Sequence, residues 1–146
     1  MEVFDPRSLG KPVYEALDNL YQEYSKDDRR YETRLKEQKN QAVELYTYLA
    51  TWGLMRLKAE EYALNKGDVQ KKNDKGAGKV DVVEAYFKCL EKLPGTPENL
   101  ASKRGLNTLK ELSAEEYLGL TGLGLTIAQE FSFWATAVYV DVEGEA

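Results

Sequence analysis

From Arg29 to Lys66 the chain contains no proline, and Gly67 stands where a helix C-terminal stop is expected. Apolar residues recur through this run at helical spacing, and alternation of the kind a half-buried strand needs is sustained nowhere in the sequence. A helix this long dictates an all-α fold. Its two halves differ. As far as Gln41 it has a sparse apolar edge of Tyr31 and Leu35 among charges, with Glu32 four residues before Lys36 as a supporting pair, so this half is expected to be solvated. From Ala42 to Leu64 it is apolar nearly all round, and Glu44, Thr47, Thr51 and Lys58 form only a narrow polar stripe, as in the central helix of a bundle. Gly53 in its middle costs about 1 kcal/mol relative to Ala, and marks either a close backbone approach or a break after Trp52.

The remaining helices follow from the same periodicity. Val13, Leu17, Leu20, Tyr21 and Tyr24 define a helix over Lys11–Ser25, with Pro12 in its first turn and Asp27 or Asp28 able to cap what comes next. Gly67–Lys79 is rich in Gly, Asn, Asp and Lys and is expected to be a mobile basic loop; the two chain ends are expected to be disordered. Asp81 with Glu84 forms a capping-box pattern ahead of Val82, Val83, Tyr86, Phe87, Leu90 and Leu93, and Pro94-Gly95 ends that helix. Thr96-Pro97 is expected to start a short helix that Gly105 stops, with another turn or two through Leu106, Leu109 and Leu112. A second capping box, Ser113 with Glu116, opens a last helix from Ala114 to about Val140. Its stripe is Tyr117, Leu120, Leu123, Ile127, Phe131, Trp134 and Val138, and its small residues Gly124, Ala128 and Ala135 would let a neighbour come close. Residues 1–146 thus read as one all-α domain, a bundle of about five to six helices.

Composition narrows the function. With 42% hydrophobic and 31% charged residues, the chain lies within the globular range, and 146 residues can bury a core without disulfides or a metal. Net charge of −5 disfavours a uniformly basic surface for non-specific nucleic-acid binding but permits a local basic patch. There is no His, which removes the commonest general base and transition-metal ligand. The single Cys89 has no internal disulfide partner and no secretory signal pattern stands at the N-terminus, so a cytoplasmic protein is expected. Tyr117–Val140 carries one charge, Glu130, but its Gln129, Thr and Gly residues and its acidic flanks disfavour a membrane span.

Gly76-Ala77-Gly78-Lys79 invites comparison with a phosphate loop, but Asn73 stands where the first Gly belongs, Val80 where a Ser or Thr is needed, and no strand precedes it. Three basic groups could touch a nucleic-acid backbone. They are Lys71, Lys72 and Lys75 in the loop, Arg29, Arg30, Arg34, Lys36 and Lys39 on the long helix, and Lys103-Arg104. Acidic residues interleave with the second group, so an ordinary solvated surface competes with that role. Among the aromatics, Tyr21, Tyr86, Phe87, Phe131 and Trp134 sit at core positions, while Tyr46, Tyr48 and Tyr62 are candidates for a protein interface. Cys89 reads as a buried small hydrophobe, and Glu60-Glu61 and Glu115-Glu116 are adjacent instead of facing. No catalytic, cofactor or metal residues are assigned.

One pattern points further. Tyr117-Leu118, Leu120-Thr121, Leu125, Ala128, Phe131, Trp134 and Ala137, trailing into acidic residues, resemble the C-terminal helix of the small all-helical subunit of type III-B CRISPR (Cmr) effector complexes. Leu45, Tyr48-Leu49, Gly53-Leu54 and Leu57 resemble that family's central segment. The resemblance implies a six-helix-type bundle, copies stacked along an RNA-guided ribonucleoprotein beside other effector proteins, and support of the guide–target duplex without cutting it. It implies no cofactor and no catalytic residue. Where the family carries basic residues late in the last helix this chain has Ser132 and Phe133, so no motif-matched functional residue carries over. The expectation is a non-catalytic scaffold subunit of such an antiviral complex, and the alternative is a helical adaptor that binds protein alone.

Overall fold

A computed structural model describes residues 7–23, 31–65 and 76–142. Its six helices are α1 (Arg7–Gln22), α2 (Tyr31–Trp52), α3 (Leu54–Leu64), α4 (Ala77–Glu91), α5 (Gly105–Glu111) and α6 (Ala114–Val138). There is no strand among the described residues. α6 packs against α2, α1 and α4, α4 packs against α2 and α1, and α3 packs against α4 and α5, which makes a single helical bundle. Val13, Leu17, Leu45, Leu57, Tyr86, Phe87, Leu90, Ile127 and Phe131 are buried together at its centre. None of the described helices is long and apolar enough to cross a membrane.

Gly53 is a true break. Its φ of 86° and ψ of 172° lie where L side chains are strained, yet its N–H still donates to Leu49 O (3.0 Å) and its carbonyl accepts from Leu57 N–H (3.2 Å). The residue therefore closes α2 and opens α3 while keeping its own N–H and carbonyl hydrogen-bonded. Tyr117 of α6 reaches the same corner, its hydroxyl accepting from Met55 N–H at 3.0 Å.

Several boundaries differ from the sequence expectation. α1 starts at Arg7, one turn before Lys11, so Pro12 lies in the second turn and leaves the exposed Ser8 carbonyl without an intrahelical donor. α4 starts at Ala77 and not at Asp81, because Glu37 of α2 supplies the cap. Its carboxylate accepts from Gly76 N–H (2.8 Å) and Gly78 N–H (3.0 Å), and the positive φ of 95° at Gly76 turns the chain into the helix. At Gly78 the α4 backbone lies close against α2, since a Cβ there would overlap Arg34 O. Of the expected loop, 76–79 thus belongs to this helix start, and residues 66–75 lie outside the described residues.

No helix runs from Thr96 to Gly105. That stretch is a chain of turns held by Thr96 Oγ1 donating to Leu93 O (2.7 Å), Ala101 N–H donating to Glu91 Oε1 (3.0 Å) and the fully buried Leu100. Gly105 begins α5 instead of stopping a helix, and a Cβ there would collide with Leu100 O.

The Ser113–Glu116 capping box is present in full, with Glu116 N–H donating to Ser113 Oγ (3.1 Å) and Ser113 N–H to Glu116 Oε1 (2.9 Å). Along α6 the buried stripe is Leu120, Gly124, Ile127, Ala128, Phe131 and Ala135, continued by Tyr139, whereas Leu123 is exposed. Tyr86 OH donates to Gly124 O at 2.8 Å and occupies the space a Cβ would need, which explains the small residue there.

Candidate protein and nucleic-acid interfaces

The half of α2 expected to face solvent is instead the polar core of the α2–α4 contact. Arg34 donates from Nε and Nη2 to the two carboxylate oxygens of Asp81, each at 2.8 Å. Gln38 Nε2 adds a bond to Asp81 Oδ2 (2.9 Å), and Gln38 Oε1 accepts from Tyr139 OH (2.7 Å). Arg34 and Gln38 are buried and Tyr139 fully so, and burial pushes ionisation of the Tyr139 phenol far above its ordinary value. The network joins α2, α4 and the end of α6. Alongside it, Tyr21 OH donates to Asp141 Oδ2 (2.8 Å), which raises the Tyr21 pKa to about 12.

This geometry corrects the expected nucleic-acid surface. Arg34 is a bidentate internal ligand of Asp81 and cannot also hold a phosphate. Lys39 is half-buried and donates to Val142 O (2.6 Å). Lys36, Lys103 and Arg104 are exposed, the last two in the turns before α5, remote in sequence from Lys36. Arg29, Arg30, Lys71, Lys72 and Lys75 lie outside the described residues. At the start of α4, the backbone donors that a phosphate would use are already taken by the Glu37 carboxylate.

The three candidate interface tyrosines do not share a surface. Tyr46 is exposed on the α6 side of α2, where its N–H donates to Ser132 Oγ (3.4 Å), and Ser132 Oγ in turn donates to Ala42 O (3.2 Å). Tyr48, two residues on, points to another side. It is half-buried and donates to Glu60 Oε2 (2.6 Å), and burial followed by that carboxylate pushes its pKa up to about 12. Tyr62 is exposed on α3. Lys58, expected on a narrow polar stripe, is 4% exposed, with its ammonium 2.8 Å from Glu61 and 4.6 Å from the centre of the Phe87 ring. Cys89 is buried as expected, and burial pushes its thiol up to about 11, which disfavours the reactive thiolate.

The feature the sequence reading missed is the outer face of α6. Leu118, Gly122, Gln129, Phe133, Thr136 and Val140 recur at helical spacing and are all exposed, with Leu118 at 70%, Phe133 at 60% and Val140 at 76%. No exposed position from 118 to 140 carries a charge. The one ionisable carboxylate in that range, Glu130, is half-buried and accepts from Trp134 Nε1 (3.3 Å). At 1.5 Å per residue the face is roughly 33 Å long. Val43 and Tyr46 of α2 extend it across Ser132, and on the other flank Phe133 stacks edge-on with Trp134, which meets Tyr14 of α1. The sparse charge of 117–140 was visible in the sequence.

No protein-family model, curated protein or solved structure matches the chain.

Proposed function

We propose that this protein is a non-catalytic cytoplasmic scaffold that binds protein neighbours through the outer face of α6. The carrying observation is that this face is long, free of charge and largely apolar, with Leu118, Phe133 and Val140 exposed along it, in a chain whose surface elsewhere is rich in charged side chains. Contiguous exposed apolar surface of this kind marks sites that a partner covers, and its aromatic Phe133 and Tyr46 suit the anchor positions of an interface core.

The resemblance of 117–137 and 45–57 to the small subunit of type III-B CRISPR effectors supports a specific assembly, an RNA-guided antiviral complex in which copies of this chain stand beside other effector proteins. RNA contact would then fall to Lys36, Lys103 and Arg104 and to Arg29, Arg30, Lys71, Lys72 and Lys75. The engagement of Arg34 with Asp81 favours the second reading, an adaptor that binds protein alone.

Affinity purification of the tagged chain from its own host tests both. Effector-type proteins with nuclease-sensitive RNA support the first reading. Protein partners without RNA at low salt support the adaptor, and recovery of neither overturns the scaffold proposal.

A further inference from the structure

The outer face of α6 has the spacing of a helix–helix seam. Gly122, Thr126, Gln129, Phe133, Thr136 and Val140 are all exposed and follow one another at alternating steps of four and three residues, the repeat that lets one helix lie along another. Exposed Gly119 continues it toward the start of the helix. The seam is lopsided in bulk. A Cβ at Gly119 or Gly122 would meet nothing within 4 Å, so packing within the chain gives no reason for helix-weakening glycines at that end. At the other end Phe133 and Val140 project large side chains into solvent.

The two ends also differ in charge. α2 runs antiparallel to α6, with Gln38 beside Tyr139 and Tyr46 beside Ser132. Exposed Lys36 lies two turns before Val43 on the same side of α2 and therefore stands at the Val140 end, where Tyr21 OH already engages Asp141. Exposed Glu115 lies two turns before Gly122 and stands at the glycine end. Between them, α6 with the Val43 and Tyr46 flank of α2 offers a strip roughly 33 Å by 20 Å, about 600 Å² against the roughly 800 Å² per partner of a standard specific interface.

We propose that the occupant of this face is a second copy of the chain, with the two α6 helices packed antiparallel about a two-fold axis; the inference rests on the outer face of α6 being the binding face. Antiparallel packing lays Phe133 over the partner's Gly122, twice by symmetry, so that bulk meets the missing side chain. It also brings Lys36 to the end that carries the partner's Glu115. A parallel pair would set glycine on glycine and Phe133 on Phe133, which splays the helices, and would bring Glu115 against Glu115. With Phe133 over Gly122 the axis passes between Thr126 and Gln129. Along α6, the two copies of Gln129 then lie about 5 Å apart and the two copies of Leu118 about 28 Å apart.

Sedimentation velocity of the full chain, from low-micromolar to near-millimolar concentration, tests the pairing. The expected result is a monomer–dimer equilibrium that Phe133→Lys weakens at least tenfold. In the dimer, a short bis-maleimide should join Gln129→Cys to itself and leave Leu118→Cys unjoined, with the native chain and its buried Cys89 as the unreactive control. A monomer throughout the range overturns the proposal, and so does a dimer that Phe133→Lys leaves intact or one in which Leu118→Cys is joined to itself. The first measurement needs no variant, so misfolding of a variant would not protect the idea. Affinity purification separates this inference from the broader reading. A monomer that still recovers another protein through Leu118 and Phe133 rules out the second copy alone, whereas a monomer that recovers nothing rules out the scaffold as well.

Discussion

Arg34 and Asp81 meet through two hydrogen bonds of 2.8 Å, across a sequence separation of 47 residues, with side-chain exposures of 5% and 14%. Removing one partner strands the other charge in the α2–α4 contact. Arg34→Ala should therefore lose about 3–5 kcal/mol of stability in urea unfolding, whereas replacing the pair together with Met and Leu should cost much less. Any loss of RNA association in an Arg34 variant would then report on folding and not on a phosphate contact.

Glycine substitutions should act in opposite directions at two sites. At Gly53 the backbone conformation is open almost to glycine alone, so Gly53→Ala should destabilise by about 1–3 kcal/mol and lower the melting temperature. At Gly122 the residue is mid-helix and a Cβ meets nothing within 4 Å. Gly122→Ala should raise stability by about 0.5–1 kcal/mol.

The comparison of two capping-box patterns explains which parts of the fold were legible in advance. Ser113 and Glu116 form the box because every group it needs lies within one turn. Asp81 and Glu84 present the same spacing, but Asp81 is claimed by Arg34 from another helix, and Glu37, also from α2, caps α4 a turn earlier. Local chemistry is readable from spacing, and a distant competitor is not. The same limit misplaced the site residues. Arg34 falls on the half of the helix expected to be solvated and Lys58 on its narrow polar stripe, yet each is buried against a partner, Asp81 for one and Glu61 with Phe87 for the other. Periodicity located the buried stripe of α6 almost completely, and it was silent on the opposite face, where lack of charge was the informative property.

Cys89 provides a pH signature. Its thiol is raised from an ordinary value of 9.0 to about 11 by burial, so the folded state holds the proton that the unfolded state releases first. Its stabilising contribution is complete below about pH 9 and is lost as pH rises toward about pH 11. Urea unfolding across that window should show a steeper alkaline decline in the native chain than in Cys89→Ala. A thiol reagent at about pH 8 should label the denatured chain and leave the folded one unmodified.

The outer face of α6 separates folding from binding by single substitutions. Leu118 is 70% exposed at the start of α6, so Leu118→Lys should change stability by no more than about 0.5 kcal/mol in thermal unfolding. Phe133→Lys gives up the edge-on contact with Trp134, a ring pair worth about 0.5–1.5 kcal/mol, and should be correspondingly less neutral. Both place a cation on a face that otherwise has none, where a docked apolar partner would have to desolvate it. If this face carries the partner, both variants remain folded and recover far less of it in affinity purification. Gly122→Ala then becomes informative in the same experiment, since a variant that is more stable alone and weaker in complex would mean that the partner backbone approaches α6 closely at that residue. Unchanged recovery with both lysine variants would remove this face from consideration and return attention to the exposed Tyr62 on α3.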